Sequence, residues 1–325
     1  MGWWQVDADT LAGARFVVSP LAETLAALKT LHRPAAAHPG QRRWLEEHLG
    51  AYRARLEADP QAAALVPAAL GGGWNATFLT PVPSAESLGF DGELVSVRAT
   101  SPDAARADLA HCLHGPPPPA LADGDLAGCA ARLLRWAWEE TVAPDWARRR
   151  RVLEADVLAR AARSAQGGWA AALDGTRPGL RWLGGERLQI TTGDAGERQL
   201  AGARLVFVPV TFQQSWLCWD EPRPARGPRG HGVVYPCAGV LAEVPVEGAA
   251  PLAALLGPGR AAVLARLAEP KSTTQLVALT GLPLGSVGRH LRVLREARLV
   301  GRRREGRIVL YFPTSVGRAL LDAQG

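Results

Sequence analysis

The segment Leu276-Val-Ala-Leu-Thr-Gly-Leu-Pro-Leu-Gly-Ser-Val-Gly-Arg-His-Leu-Arg-Val-Leu-Arg-Glu-Ala-Arg-Leu-Val300 holds two short runs of helical period joined by Thr280-Gly281-Leu282. Ser272 can cap a helix over about Thr273–Leu279, and Pro283 suits the first turn of a helix reaching about Ala297. Two helices across a tight glycine turn make a helix-turn-helix. At about 100° per residue, Leu284, Val287, Leu291 and Leu294 fall on one stripe of the second helix, its predicted core face. Gly285, Arg289, Arg292 and Glu296 fall opposite, with Ser286 and His290 on the flanks. A helix that lies in a major groove needs an apolar back and a front that reaches base edges. A guanidinium can donate two parallel hydrogen bonds to guanine O6 and N7, so Arg289 and Arg292 are the predicted base readers.

The flanking sequence fits the same unit. Upstream, Leu252–Leu267 has helical period, interrupted by Gly257-Pro258-Gly259, with Leu255, Val263, Leu264 and Leu267 as its apolar face. Downstream, Leu299-Val300, Gly301-Arg-Arg-Arg-Glu-Gly-Arg307 and Ile308–Pro313 predict a β-hairpin with a basic tip. Arg302, Arg303, Arg304 and Arg307 on that hairpin suit phosphates or a minor groove. Ser272, Ser286 and His290 complete the expected DNA-contact set. A last helix over about Val316–Ala323 presents Val316, Ala319 and Leu320.

The quoted segment resembles the helix-turn-helix of ArsR-type winged-helix repressors. Arg289-His290-Leu291 through Leu294-Arg295-Glu296-Ala297 is its most specific part, and the likeness extends over about Leu252–Leu321. More weakly, the whole chain resembles long-form actinobacterial ArsR-type regulators with a large N-terminal domain of unknown role. That likeness is carried by Ser19-Pro20-Leu21 with Leu25 and Leu28, Phe78-Leu-Thr-Pro-Val-Pro83, Leu205-Val-Phe-Val-Pro-Val-Thr-Phe212 and Val234-Tyr-Pro-Cys-Ala-Gly239. The resemblance implies a homodimer with the outer helices at its interface, duplex DNA as partner, and repression relieved by a signal. Two positions depart from the pattern: Gly288 replaces a serine usual in the family, and Arg298 stands where a helix-ending glycine is usual. The family's metal ligands are absent, since this module has no cysteine and only His290.

Charge separates the module from the rest. Residues 251–325 carry eleven arginines and Lys271 against Glu269, Glu296, Glu305 and Asp322, a net of +8, whereas the whole chain carries only +6. The first 250 residues are therefore at −2, and all the positive excess lies on the part predicted to meet nucleic acid. A basic winged helix used only for protein contacts is the bland alternative.

The N-terminal part reads as helical to about residue 165 and strand-rich over 166–250, either as a subdomain or continuous with the first. The expected fold is thus α+β, a mostly helical N-terminal domain with a small β-sheet region followed by the winged helix-turn-helix of 251–325. Helices are predicted from Leu21 to Arg33 behind a Ser19-Pro20 cap, over Gln41–Glu57 to a stop at Asp59-Pro60, and over Pro102–Leu113. A long helix over about Leu126–Ala165 should kink or split at Pro144 and close at Gly167-Gly168. Leu188–Thr192, Arg204–Phe212 and Gly232–Cys237 read as strands around a Pro/Gly/Arg loop at 221–230. Val240–Val246 is a candidate extension of the sheet, and Glu247–Ala250 the expected boundary.

No run of 18 apolar residues and no basic leader followed by an apolar stretch is present, so the expectation is a cytoplasmic protein with no membrane partner. No nucleophile elbow, Walker loop or dinucleotide fingerprint appears, and no enzyme activity or cofactor is expected. The His111-Cys112-Leu113-His114 cluster falls short of the three or four ligands zinc wants, and supports only an alternative in which metal or redox state is the signal. All eleven tryptophans precede residue 220. They serve core packing or, for Trp136, Trp138, Trp216 and Trp219, a pocket for a small apolar or aromatic effector.

Overall fold

The computed structural model describes residues 2–35, 39–71, 74–84, 89–191, 197–220, 229–237, 252, 255–280, 282, 284–305 and 308–323. The expected strand at Val240–Val246, the boundary at Glu247–Ala250, most of the 221–230 loop and Arg307 lie outside these. The chain is α+β, with a helical body, two four-stranded sheets and a C-terminal winged helix-turn-helix.

The helical body is built on α2 (Pro20–His32), α3 (Pro39–Glu57), α4 (Pro60–Leu70), α5 (Gly89–Arg98), α6 (Pro102–Leu113) and α8 (Leu126–Ala137), with the single turn α7 (Pro119–Ala122) between the last two. Ser19, Asp59, Ser101 and Asp125 each accept a backbone N–H in the first turn of the helix they precede, three of them with proline at the following position. Asp59-Pro60 thus opens α4 as well as ending α3, a helix the sequence reading missed. Pro144 splits the long helix as expected. Residues Trp138–Val142 form a π turn and Ala143–Asp145 a 3₁₀ turn, before α9 runs from Trp146 to Leu173. Gly167-Gly168 kinks α9 rather than ending it: Gly168 takes φ +66°, a conformation that favours glycine, and the chain resumes helical bonding beyond it.

One sheet runs β2 (Arg15–Phe16), β6 (Arg204–Val210), β8 (Gly230–Pro236), β7 (Trp216–Asp220), parallel except for β7. Its central strands are apolar without alternation because both faces are covered. Val206, Val208, Val210 and Val234 face the helical core, whereas Leu205, Phe207, Val233 and Tyr235 face a second core under the other sheet. That second sheet runs β3 (Arg181–Gly184), β4 (Arg187–Thr191), β1 (Gly2–Gln5), β5 (Glu197–Gln199). The helix α1 (Ala8–Gly13) links β1 to β2, so the first sixteen residues supply a strand to each sheet.

Two buried networks fasten α9 to this sandwich. Arg149 is 3% exposed and donates to Glu23 Oε1 at 2.8 Å, while Glu23, in the first turn of α2, also accepts from Thr211 N at 2.8 Å and from the Thr211 hydroxyl. The Arg149 guanidinium lies 4.9 Å from the Phe212 ring centroid. One turn and more along, Asp156 accepts from Arg160 Nε at 2.9 Å and from Tyr235 on β8 at 2.8 Å. Arg160 also donates to Ala172 O at 2.8 Å, pinning the segment beyond the kink. Removing one partner of a buried, hydrogen-bonded ion pair leaves the other charge desolvated, typically at a cost of ~3–5 kcal/mol. Arg149→Met should therefore lower unfolding stability by about 3 kcal/mol in urea titrations, and Glu23→Gln added to it should restore part of that loss. An additive double variant would show that the two charges do not act as a pair.

Candidate nucleic-acid interface

The C-terminal unit has its own core. α10 (Pro258–Ala265), α11 (Thr273–Thr280), α12 (Leu284–Glu296) and α13 (Ser315–Asp322) surround it with the hairpin β10 (Val300–Glu305) and β11 (Ile308–Pro313). Val263, Leu264, Leu267, Leu276, Val287, Leu291, Leu294 and Val300 are buried together there. Three expected core positions are not. Leu255 is 69% exposed, because Gly257 at φ +83° breaks the helix and takes Leu255 off the face of Val263 and Leu264. Leu284 is 62% exposed, since the core ends at Val287 and none of the described residues covers the first turn of α12. Val316 is exposed as well, and Gly317 is the residue α13 buries, with Leu299 O too close for any Cβ.

α11 begins with a capping box. Ser272 Oγ accepts from Gln275 N at 3.2 Å, and Gln275 Oε1 accepts from Ser272 N at 2.8 Å. The predicted contact Ser272 thus caps the helix through its hydroxyl oxygen, which accepts there and keeps its O–H as a donor. The two-residue strand β9 (Lys271–Ser272) pairs with β11, joining wing and helix, which no periodicity in so short a stretch could reveal. Lys271 is buried and lies 3.6 Å from Glu269, so this lysine adds charge but no exposed cation. Thr280 Oγ1 then donates to Leu276 O at 2.6 Å and closes the helix before the turn.

On α12 the facial separation is realised. Val287, Leu291 and Leu294 are buried, whereas Gly285, Gly288, Arg289, Arg292 and Glu296 are exposed. Arg289 and Arg292 make no ion pair among the described residues. Ser286 is half-buried, and the half-buried His290 imidazole lies against Gly259 on α10, where a Cβ would stand 2.5 Å from Nε2. Arg302, Arg303 and Arg304 are all exposed on β10.

α12 ends in a Schellman motif. Leu299 N donates to Leu294 O and Arg298 N to Arg295 O, both at 2.9 Å, with Arg298 in the left-handed region at φ +57°.

Of the four predicted effector tryptophans, Trp216 lines a cavity at the start of α2. Trp138 stacks on Phe90 at 4.7 Å and meets Trp146, Trp136 packs near Tyr52, and Trp219 contacts Trp74. The cavity, of about 390 Å³, lies between the start of α2, the 77–84 segment, α5 and the β7–β8 edge. Ser19, Leu21, Leu25, Leu79–Pro83 and Val234 line it, and these belong to the segments that carry the whole-chain resemblance. Their convergence was the signal available in the sequence. Glu93, buried on α5, also lines it and was not foreseen. Burial pushes its carboxyl up to about 7 against hydrogen bonds from Leu21 N and Ser19, which favour the ionised form.

His111 stacks edge-on against Trp74, and its ring centroid lies 6.5 Å from that of His114. No group of three His, Cys, Asp or Glu suited to a metal occurs among the described residues. Burial, aided by Asp108, pushes the Cys112 thiol up to about 11, leaving little thiolate at neutral pH.

Residues 255–303 match the family model of a helix-turn-helix domain, so the C-terminal unit is a helix-turn-helix of the DNA-binding kind. No curated protein and no solved structure matches the chain. No helix among the described residues is long and apolar enough to cross a membrane.

Two measurements follow. Replacing Arg298 by Gly relieves ~1–2 kcal/mol of left-handed strain and adds somewhat less chain entropy, so R298G should be more stable by ~0.5–1 kcal/mol in thermal unfolding. An unchanged or lower Tm would contradict the strain. Glu93 holds its proton to higher pH folded than unfolded. Its contribution to stability is complete below about pH 4.5 and is lost as the pH rises through about 7. Glu93→Gln should remove ~2–3 kcal/mol of that decline, read from Tm between pH 4.5 and 8.

Proposed function

We propose that the protein is a homodimeric transcriptional repressor of the ArsR type that binds specific duplex DNA and releases it when a small organic effector occupies the N-terminal domain. The single observation carrying this reading is the pair of exposed guanidinium groups, Arg289 and Arg292, on the face of α12 opposite buried Val287, Leu291 and Leu294. α12 lies in the major groove with Arg289 and Arg292 at guanine edges, and Ser286 at the flank of that helix. Arg302, Arg303, Arg304 and Arg307 on the wing hold phosphates or enter the minor groove. Ser272 and His290 support the interface from within, one as a helix cap and one against α10.

The dimer reading draws on Leu255 and Val316, large apolar side chains left exposed beside the outer helices α10 and α13. The effector reading draws on the cavity and on what connects it to the DNA-binding unit. Val234 lines the cavity from one face of β8, and the neighbouring Tyr235 bonds Asp156 of α9 from the other. α11 packs against α9. A ligand that displaces β8 therefore acts on the helix against which the first helix of the helix-turn-helix rests, and so on the spacing of two recognition helices in a dimer.

The test is selection of bound sequences from a random duplex pool, followed by anisotropy titrations at several salt concentrations. Arg289→Ala should weaken the selected site by ~1–3 kcal/mol and relax preference at one base pair. Arg302→Ala should weaken all sequences alike and lower the salt slope by about 1. A wild-type chain that enriches no sequence, or an R289A variant with unchanged affinity and preference, would falsify this assignment.

A further inference from the structure

The cavity at the start of α2 holds one polar group whose bonding is incomplete. Glu93 Oε2 accepts from Ser19 Oγ at 2.8 Å and from Leu21 N at 2.9 Å, while Oε1 has no partner among the described residues. The side chain is 7% exposed and what remains open faces the cavity. Oε1 is not among the side-chain atoms sealed from solvent, so a ligand in the cavity can reach it, and a donor that also carries charge bonds a carboxylate most strongly.

The other charges at the cavity wall already satisfy each other. Arg204 Nη2 lies 3.6 Å from Asp220 Oδ2, and Arg204 Nη1 donates to Pro83 O at 2.6 Å. Asp220 Oδ1 accepts from Val82 N at 3.1 Å. With this pair neutral as a unit, Glu93 sets the sign of the site. Most of the remaining wall is apolar, with the Trp216 indole, Leu21, Leu25 and Val234, beside the hydroxyls of Ser84 and Ser96. The volume, about 390 Å³, falls in the range of small-molecule sites.

We propose that this cavity binds a small organic cation, an apolar or aromatic body bearing a protonated amine, with the ammonium donating to Glu93 Oε1. The amine nitrogen supplies the missing donor and its charge pairs with the carboxylate, while the body occupies the apolar wall beside Trp216. A neutral isostere gains the apolar contact alone or with one weaker bond, and a carboxylate is repelled. The assignment deepens the effector reading and rests on it for its regulatory consequence, not for the site itself.

Three probes of one shape test it: 2-phenylethylamine, 2-phenylethanol and 3-phenylpropionate, titrated calorimetrically into the full chain at pH 8. The amine should bind at least tenfold more tightly than either of the others, and Glu93→Gln should bring amine and alcohol to equal affinity. Should that variant fail to fold, Glu93→Asp withdraws the charge by one methylene and must weaken the amine while sparing the alcohol. Equal affinities in the wild type, preference for the acid, binding of none of the probes, or an amine preference that survives in the variants overturns the proposal. A separate titration of labelled duplex keeps the two readings apart. Amine binding through Glu93 that leaves DNA affinity unchanged supports the site and overturns only its role as the regulatory input.

Discussion

Everything in the N-terminal part is arranged around the burial of two arginines on one helix. Arg149 and Arg160 are each 3% exposed or less: Arg149 meets Glu23 of α2 and the Phe212 and Trp44 rings, and Arg160 meets Asp156 one turn back on α9 and the Tyr235 ring of β8. A charge cannot be taken out of water without such company, so α9 can sit in only one register against α2, β6 and β8. Leucines could have held the helix down with similar affinity, but they would tolerate a slide of a turn more readily. The constraint matters because α9 also borders α11, so its register sets where the C-terminal unit lies.

The C-terminal unit is held together differently. Its core is wholly aliphatic, and its polar bonds are local: a reciprocal cap at Ser272 and Gln275, a hydroxyl closure at Thr280, and a left-handed stop at Arg298. These devices leave Arg289 and Arg292, on the outward face of α12, without an ion pair among the described residues. Two guanidinium groups in water, on a helix whose opposite side is fully committed, are available to a polyanion without prior rearrangement. The wing is tied to the beginning of α11 through β9, so hairpin and positioning helix move together.

Much of this was legible in the chain. The helix-turn-helix, its hairpin and the face of α12 follow from period, caps and charge, which are local properties. The central strands were visible because burial on both faces makes their sequence continuously apolar. What escaped was non-local. β1 and β9 are short and borrow their stability from partners far along the chain, and α4 hid because Asp59-Pro60 reads equally as an ending. The burial of Leu284 was wrongly expected because a helical wheel knows nothing of where the neighbouring helix stops. Indoles also serve wherever elements pack, as where Trp136 meets Tyr52, Trp138 stacks on Phe90 and Trp219 of β7 meets Trp74, so a tryptophan in the sequence does not by itself mark a cavity wall. Glu93 was invisible, since nothing in its own segment shows that an apolar wall will close around it.

The contribution of residues 2–16 to both sheets has a consequence for how the molecule is made. Arg15 must pair beside Val206, and Trp4 opposite Leu188, so a segment made well before its partners waits for the long stretch of chain between them to follow it. At ~5–20 residues per second that delay is about 10–40 s, far longer than a helix or a hairpin needs to form. During it, a tryptophan-bearing strand with open edges is exposed while the helices around it can already associate. Translation speed over the stretch before residue 206, and any chaperone that shelters the waiting strand, should govern how much of the chain reaches its native pairing.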